Sequence, residues 1–416
     1  MVVDILIWGL GKRSKIIIDS LNLNKCHLVG FIDRNKNNIR IEGKNWEVKK
    51  KEEINKITFN FIIVTTLDII QIKEELKELQ VPDKKVIYFW HEEILEYDFL
   101  NPYPKKYYLT KLKMKKFELQ AQNAKYEYGE YVGPIIKPAE ELLKIIIEEK
   151  KSLCRFGDGE FEIMLGRNRA SFQKVNEGFS KKLLYVLHNT NPNVVVAVAD
   201  NYGCLDKYTD TAADDIRAYL TEDVRNEHMR LLEKNRVYYD AYVSRAYMMY
   251  KDKKRSQKIF ELYKALFKDR NIVLIEGNYT RTGYNNNLFE SACSVRRILC
   301  PDSNCYNMYD EIYNSVIKIA KDNDLILITL GSVATILAYD LACLGYQAID
   351  LGQLDNEYEW SLRGSQYKEA IEGKTVSDIV EDAHLDKIDK DESYESQIVL
   401  KIDFGSKETI KNEMDT

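Results

Sequence analysis

Arg155-Phe156-Gly157-Asp158-Gly159-Glu160-Phe161 is the stretch of this 416-residue chain most able to do chemistry. Two glycines flank Asp158 and let the backbone turn tightly, so Asp158 and Glu160 present their carboxylates together. A D-x-E pair of this kind can hold one hard divalent cation, Mn²⁺ or Mg²⁺, whose remaining shell suits phosphate oxygens and water. Such an ion would neutralise a diphosphate leaving group as a glycosyl bond breaks, and Arg155 could reach the same phosphates.

Other polar segments stand where apolar runs end. Glu276–Phe289 carries Arg281 and the run Asn285-Asn286-Asn287. Gly331-Ser332-Val333-Ala334-Thr335 opens a helical pattern and suits a phosphate. Asp350–Trp360 carries Gln353, Asp355, Glu357, Tyr358 and Glu359, and Ser244-Arg245-Ala246-Tyr247 adds a cation beside an aromatic face. Ligands of open α/β sheets bind beyond the carboxyl ends of strands, so these loops can line one crevice with Gly157, Asp158 and Glu160. Asn287 can hydrogen-bond sugar hydroxyls and Tyr358 can stack on a sugar or base. Asp355, Glu357 and Glu359 are the leading candidates for a catalytic base, with an alternative reading of Glu357 and Glu359 as helix N-terminal acids. Near the start, Gly9-x-Gly11-x-x-Ser14 follows an apolar run and opens a helix, and Asp33 ends the next run. This is the context of a nucleotide-binding turn, with an empty scaffold as the bland alternative.

The elements that must position these residues read as α/β throughout. Apolar runs at Val3–Trp8, Leu28–Ile32, Phe59–Val64 and Val86–Phe89 alternate with helical patterns, which predicts a small Rossmann-like domain over 1–98. Residues 99–137 read as a linker containing a basic helix, Lys105–Gln122, whose charged face is solvated. Residues 138–378 form a second α/β domain with strands at Asn193–Ala199, Ile272–Glu276, Asp324–Leu330 and Gln347–Leu351. The tail, 379–416, is charged and partly disordered, with an edge strand expected over Ser396–Phe404.

Composition sets the outer bounds. The chain is 45% hydrophobic and 31% charged, with 61 Lys plus Arg against 66 Asp plus Glu, so the net charge is −5. That balance excludes disorder as the main state and argues against nucleic-acid binding. Seven scattered cysteines without CxxC suit reduced thiols, and five histidines form no HxxxH pair. No run approaches the roughly 20 apolar residues of a membrane span, and the N-terminus is apolar first and basic after, the reverse of a signal peptide. A cytoplasmic protein is expected, and a homo-oligomer is compatible with the reading.

The ordered blocks RFGDGEF (155–161), SRxY (244–247), EGxxxRxG (276–283), NLF (287–289), LAYDL (337–341) and QAID…EYEW (347–360) resemble the bacterial GT-D glycosyltransferases that act in glycosylation of serine-rich adhesins. The resemblance covers about Ser152–Lys374. It implies a GT-D fold, metal-assisted transfer from a UDP-sugar to a glycan or glycoprotein, and the metal motif at Asp158 and Glu160. Asn287 and Gln353 stand where the family pattern carries an acid and a histidine, so a catalytically idle nucleotide-sugar-binding relative is the competing expectation. An NAD-dependent oxidoreductase centred on Gly9, Gly11 and Asp33 is a third.

Overall fold

A computed structural model describes residues 2–41, 43–66, 69–89, 97–167, 175–376 and 391–403. The chain divides into two units, Met1–Glu118 and Leu119–Thr416.

The first unit builds a six-stranded sheet. Its elements are β1 (Val3–Trp8), α1 (Lys12–Ser20), β2 (Cys26–Ile32), β3 (Asn38–Ile41), β4 (Lys44–Lys49), β5 (Phe61–Val64), α2 (Ile69–Glu78) and β6 (Val86–Tyr88). Strand order is β3-β4-β2-β1-β5-β6, parallel except for the β3–β4 hairpin. Strand side chains alternate between faces, so Ile5 and Ile7 enter one core with Ile17 and Phe31, while Leu6 and Trp8 enter another with Ile32, Ile72 and Leu76. Burial on both faces explains why these strands read as continuous apolar runs.

The helix expected over Lys105–Gln122 is longer: α3 runs Pro102–Glu127. Its last turns are fixed within the second unit. Glu127 takes a bidentate pair from Arg217 at 2.7 and 2.8 Å, and Asn123 Oδ1 accepts from Arg225 at 3.0 Å.

The second unit is a nine-stranded, all-parallel sheet covered by helices. In chain order it contains β7 (Ile135–Lys137), α4 (Ala139–Glu148), β8 (Ser152–Phe156), α5 (Asp158–Met164), α6 (Glu177–Leu187), β9 (Val194–Val198), α7 (Asp210–Tyr219), α8 (Glu222–Leu231), β10 (Val237–Asp240), α9 (Lys253–Phe267), β11 (Asn271–Gly277), β12 (Ser294–Cys300), α10 (Tyr309–Ile319), β13 (Leu325–Thr329), α11 (Val333–Cys343), β14 (Gln347–Asp350), α12 (Leu354–Arg363), α13 (Glu392–Ser396) and β15 (Ile398–Lys401). Strand order is β15-β12-β11-β13-β14-β8-β9-β10-β7. Val196, Val198, Ile326 and Ile328 pack on one face, and Leu153, Val195, Leu325, Leu327 and Ile349 on the other.

From β8 the chain steps outward to β9 and β10, then returns beyond β14 to β11. The order therefore reverses between β8 and β14, which places a crevice at their carboxyl ends. The edge strand expected in the tail is β15, parallel to β12. The disorder expected for the last dozen residues lies outside the described residues.

Candidate active site

Arg155, the penultimate residue of β8, has its side chain folded across the switch point. Its Nη2 and Nε donate to Asp350 Oδ1 at 2.7 and 3.2 Å, its Nε also to Asp350 O at 3.0 Å, and its Nη1 to Ser244 Oγ at 2.7 Å. Thr335 Oγ1 donates to Arg155 O at 2.8 Å and Asp350 Oδ2 at 3.2 Å. These four residues form the floor of the crevice and join β8, β14, α11 and the turn after β10. Arg155, read from sequence as a phosphate ligand, has its guanidinium engaged in that floor.

Above the floor, Gly157 caps α5 and Asp158 opens it, with an exposed side chain. Asp158 Oδ1 accepts from the Gly159 N–H at 3.1 Å. Glu160 is tied down on both oxygens: Oε2 accepts from Gly157 N at 2.7 Å and Oε1 from Ser332 Oγ at 2.5 Å. Burial pushes the Glu160 carboxyl up from its ordinary range, and the Ser332 hydroxyl opposes that shift. The Glu160–Ser332 bond holds the starts of α5 and α11 side by side. The first turn of α11 carries no acidic residue, and the preceding Gly331 is exposed with a left-handed φ of +55°.

The other flank is built by residues that motif reading passed over. Asp200 and Asn201 follow β9, Asp240 ends β10, and Tyr242 lies in the turn after it. Asn201 Nδ2 donates to the Tyr242 hydroxyl at 2.8 Å, and Tyr250 OH donates to Asp240 Oδ2 at 2.8 Å. Burial raises the Tyr242 hydroxyl, with opposing influences from the nearby charges of Asp158 and Arg245. Burial beside Asp200 pushes Asp240 up to about 6. The available signal was the strand-end rule, because Asp200-Asn201 directly follows a strand legible in the sequence.

The structure gives the sequence-chosen bases a structural place. Asp355 Oδ1 accepts from Gly283 N at 2.9 Å and Asn286 Nδ2 at 2.8 Å, and Oδ2 from Lys374 Nζ at 2.7 Å. Glu357 is fully buried; its Oε2 accepts from Tyr247 N at 2.8 Å and Met248 N at 2.7 Å, and Oε1 has no hydrogen-bond partner among the described residues. Burial raises the Glu357 carboxyl, with the Met248 N–H opposing. Both acids therefore tether loops to α12, whose N-cap is Gln353. Arg281 is 5% exposed between two tyrosine rings. Asn287 and Tyr358 pair with each other, Tyr358 OH donating to Asn287 Oδ1 at 2.5 Å, beside Lys264 of α9.

In the first unit, Asp33 holds the glycine turn itself. Its Oδ2 accepts from Leu10 N at 2.7 Å and its Oδ1 from Asn35 N and Lys36 N at 2.9 and 3.1 Å. Gly9 has φ +96°, and a Cβ there would lie 2.4 Å from Thr66 Cγ2, which explains the glycine. Gly11 is the N-cap of α1.

Residues 153–379 match the glycosyltransferase GT-D fold family, a little over half of the chain. The chain belongs to the GT-D family. Residues 1–87 match a second family, C2185-like, N-terminal. The GT-D chain is 32% identical over 266 residues to a probable glycosyl transferase Gly of Streptococcus gordonii, an alignment covering 63% of this chain and 38% of that protein. It is 32% identical over 268 residues to glycosyltransferase GlyD of Streptococcus pneumoniae serotype 4, covering 64% of this chain and 32% of the relative. The chain thus spans about a third of the length of these relatives. A solved structure described as a domain of unknown function 1792 with a distinct glycosyltransferase fold matches at TM-score 0.60 and 31% identity, covering 69% of this chain and all of the other. A glycosyltransferase from Streptococcus sanguinis matches at TM-score 0.60 and 29% identity, covering 65% and 100%.

Proposed function

We propose that the C-terminal unit of this GT-D chain is a metal-dependent glycosyltransferase that moves a sugar from a UDP-sugar to a glycan or glycoprotein acceptor. The observation that carries the reading is the exposed carboxylate of Asp158 near the start of α11, a helix whose own first turn holds no acid and whose N-cap Ser332 bonds Glu160, on the crevice where the strand order reverses. A helix N-terminus stabilises a diphosphate through its free N–H groups and dipole, and a neighbouring carboxylate suits the cation that accompanies it.

Among the described residues no three His, Cys, Asp or Glu side chains cluster closely enough to cage a metal. Mg²⁺ and Mn²⁺ sites built from one or two carboxylates completed by substrate phosphates need no such cage. Asp158 fits as the direct ligand, whereas Glu160 fits as the residue that holds the turn, since both its oxygens already accept hydrogen bonds. When bound, the cation supplies charge neutralisation of the departing diphosphate. The protein's own part is to hold Asp158, Gly331 and Ser332 rigid, and to keep Arg245 nearby as a further cation.

A nucleotide at the Gly9–Gly11 turn of the first unit remains part of the proposal only as a phosphate contact at the start of α1, because the Asp33 oxygens already hold the turn. Among the described residues no helix is long and apolar enough to cross a membrane.

The test is release of UDP from a panel of UDP-sugars with Mn²⁺, Mg²⁺ or EDTA. Turnover with a cation that stops in EDTA supports the reading. Failure of every UDP-sugar to turn over, with UDP still bound, would favour the idle nucleotide-sugar-binding relative.

A further inference from the structure

Arg281 adopts a left-handed backbone, φ +47°, which a non-glycine residue holds only when its surroundings over-determine it. Its guanidinium lies 4.1 Å from the Tyr284 ring centre and 4.7 Å from that of Tyr394, and the two rings meet edge-on at 5.5 Å. A second guanidinium, Arg297, lies 4.4 Å from the Tyr394 ring. The Tyr394 hydroxyl donates to Glu276 Oε1 at 3.2 Å, where Arg297 Nη1 also donates at 2.5 Å. The other oxygen of Glu276 accepts from Thr282 N at 2.7 Å. One wholly buried carboxylate therefore joins the C-terminal segment to the loop after β11.

That segment is itself well anchored. Asp391 caps α13 by accepting from the Ser393 and Tyr394 N–H groups, and Arg297 donates through N and Nε to Gln397 at 2.7 and 2.8 Å. It lies outside the residues that match the GT-D family, 153–379. The loop it grips reaches over the end of β13, where Thr282 and Thr329 hydroxyls lie 3.4 Å apart, one strand from the crevice floor at β14.

We propose that Tyr394 is a positioning residue: by wedging between Arg281 and Arg297 it holds the loop Tyr279–Tyr284 as the wall of the crevice opposite Tyr242. As a functional statement this rests on the glycosyltransferase reading; as a statement about the loop it does not. Thr282 and Gly283 keep their own bonds to Glu276 and Asp355, so what Tyr394 adds is the desolvated cation–π contact on Arg281, and the ring matters more than the hydroxyl.

The experiment compares wild type, Tyr394→Phe and Tyr394→Leu in the full chain, by amide hydrogen exchange and by steady-state kinetics with the UDP-sugar that wild type turns over. For Tyr394→Leu, exchange across 279–284 rises about tenfold or more while β11 and β13 stay protected. Its kcat falls about tenfold with donor KM within about twofold, because the donor cradle at α5 and α11 is untouched. Tyr394→Phe restores both readouts to near wild type. Unchanged loop exchange in Tyr394→Leu, or exchange raised equally throughout the sheet, overturns the proposal. If wild type turns over no UDP-sugar, the glycosyltransferase reading fails on its own and the exchange data still decide the role of Tyr394.

Discussion

Gly352 has no room for a side chain. A Cβ there would stand 2.2 Å from Arg155 Nη2, and its φ is +55°. The guanidinium cannot yield, because Asp350 and Ser244 fix it from two sides. Gly352→Ala should therefore cost about 2–4 kcal/mol of stability, read as a lowered unfolding midpoint. Asp158 is the opposite case: its side chain is exposed, and its Oδ1 accepts from the N–H of Gly159 in its own turn. Asp158→Asn should leave the melting temperature within a few degrees while lowering UDP-sugar turnover by about 100-fold or more, the scale of a lost charge on a developing anion. Equal losses of stability and turnover would place Asp158 in the framework with Asp355 and Glu357.

At the scale of elements, the site depends on how α5 and α11 are joined. Ser332→Ala leaves Glu160 Oε1 buried without its donor, a cost of about 1–3 kcal/mol. It should also raise the KM for the donor more than it lowers kcat, since the paired helix starts bind donor in ground and transition state alike. What the sequence made legible follows the same elements. β9, β11, β13 and β14 are apolar and buried on both faces, so they read as strands directly. β8 and β12 did not, because Arg155 and the pair Arg296-Arg297 interrupt their apolar runs, and each arginine is paired with an acid that is remote in sequence, Asp350, Asp324 and Glu276. The hairpin β3–β4 alternates polar and apolar residues over too few positions to stand out. At the site, the glycine-flanked turn at Asp158 was visible as a motif. The roles of Asp355 and Glu357 were not, since their partners, Lys374 and the Tyr247 and Met248 N–H groups, join them only through the fold.

At the scale of the molecule, two buried groups give the second unit an unusual pH response. His228, stacked on Phe161 at 3.9 Å behind α5, is pushed by burial down to about 4, so its contribution to stability is complete above its unfolded value of 6.5 and is lost as pH falls toward 4. Asp240 is pushed up to about 6 from 3.8, so its contribution is complete below 3.8 and is lost as pH rises through 6. Between about pH 4 and 6 the two slopes, each about 1.4 kcal/mol per pH unit, oppose one another. Relative to wild type, Asp240→Asn should gain stability with rising pH across that window and His228→Phe should lose it, measured as the difference in urea midpoints; parallel profiles would show that neither group titrates as its burial requires. Isothermal titration of UDP into the full chain with Mn²⁺ or with EDTA, for wild type and Asp158→Asn, shows where the molecule takes its donor. The structure predicts Mn²⁺-dependent binding that the substitution weakens by about tenfold or more. UDP binding that is indifferent both to EDTA and to Asp158 would contradict it and move the nucleotide away from the β8–β14 crevice.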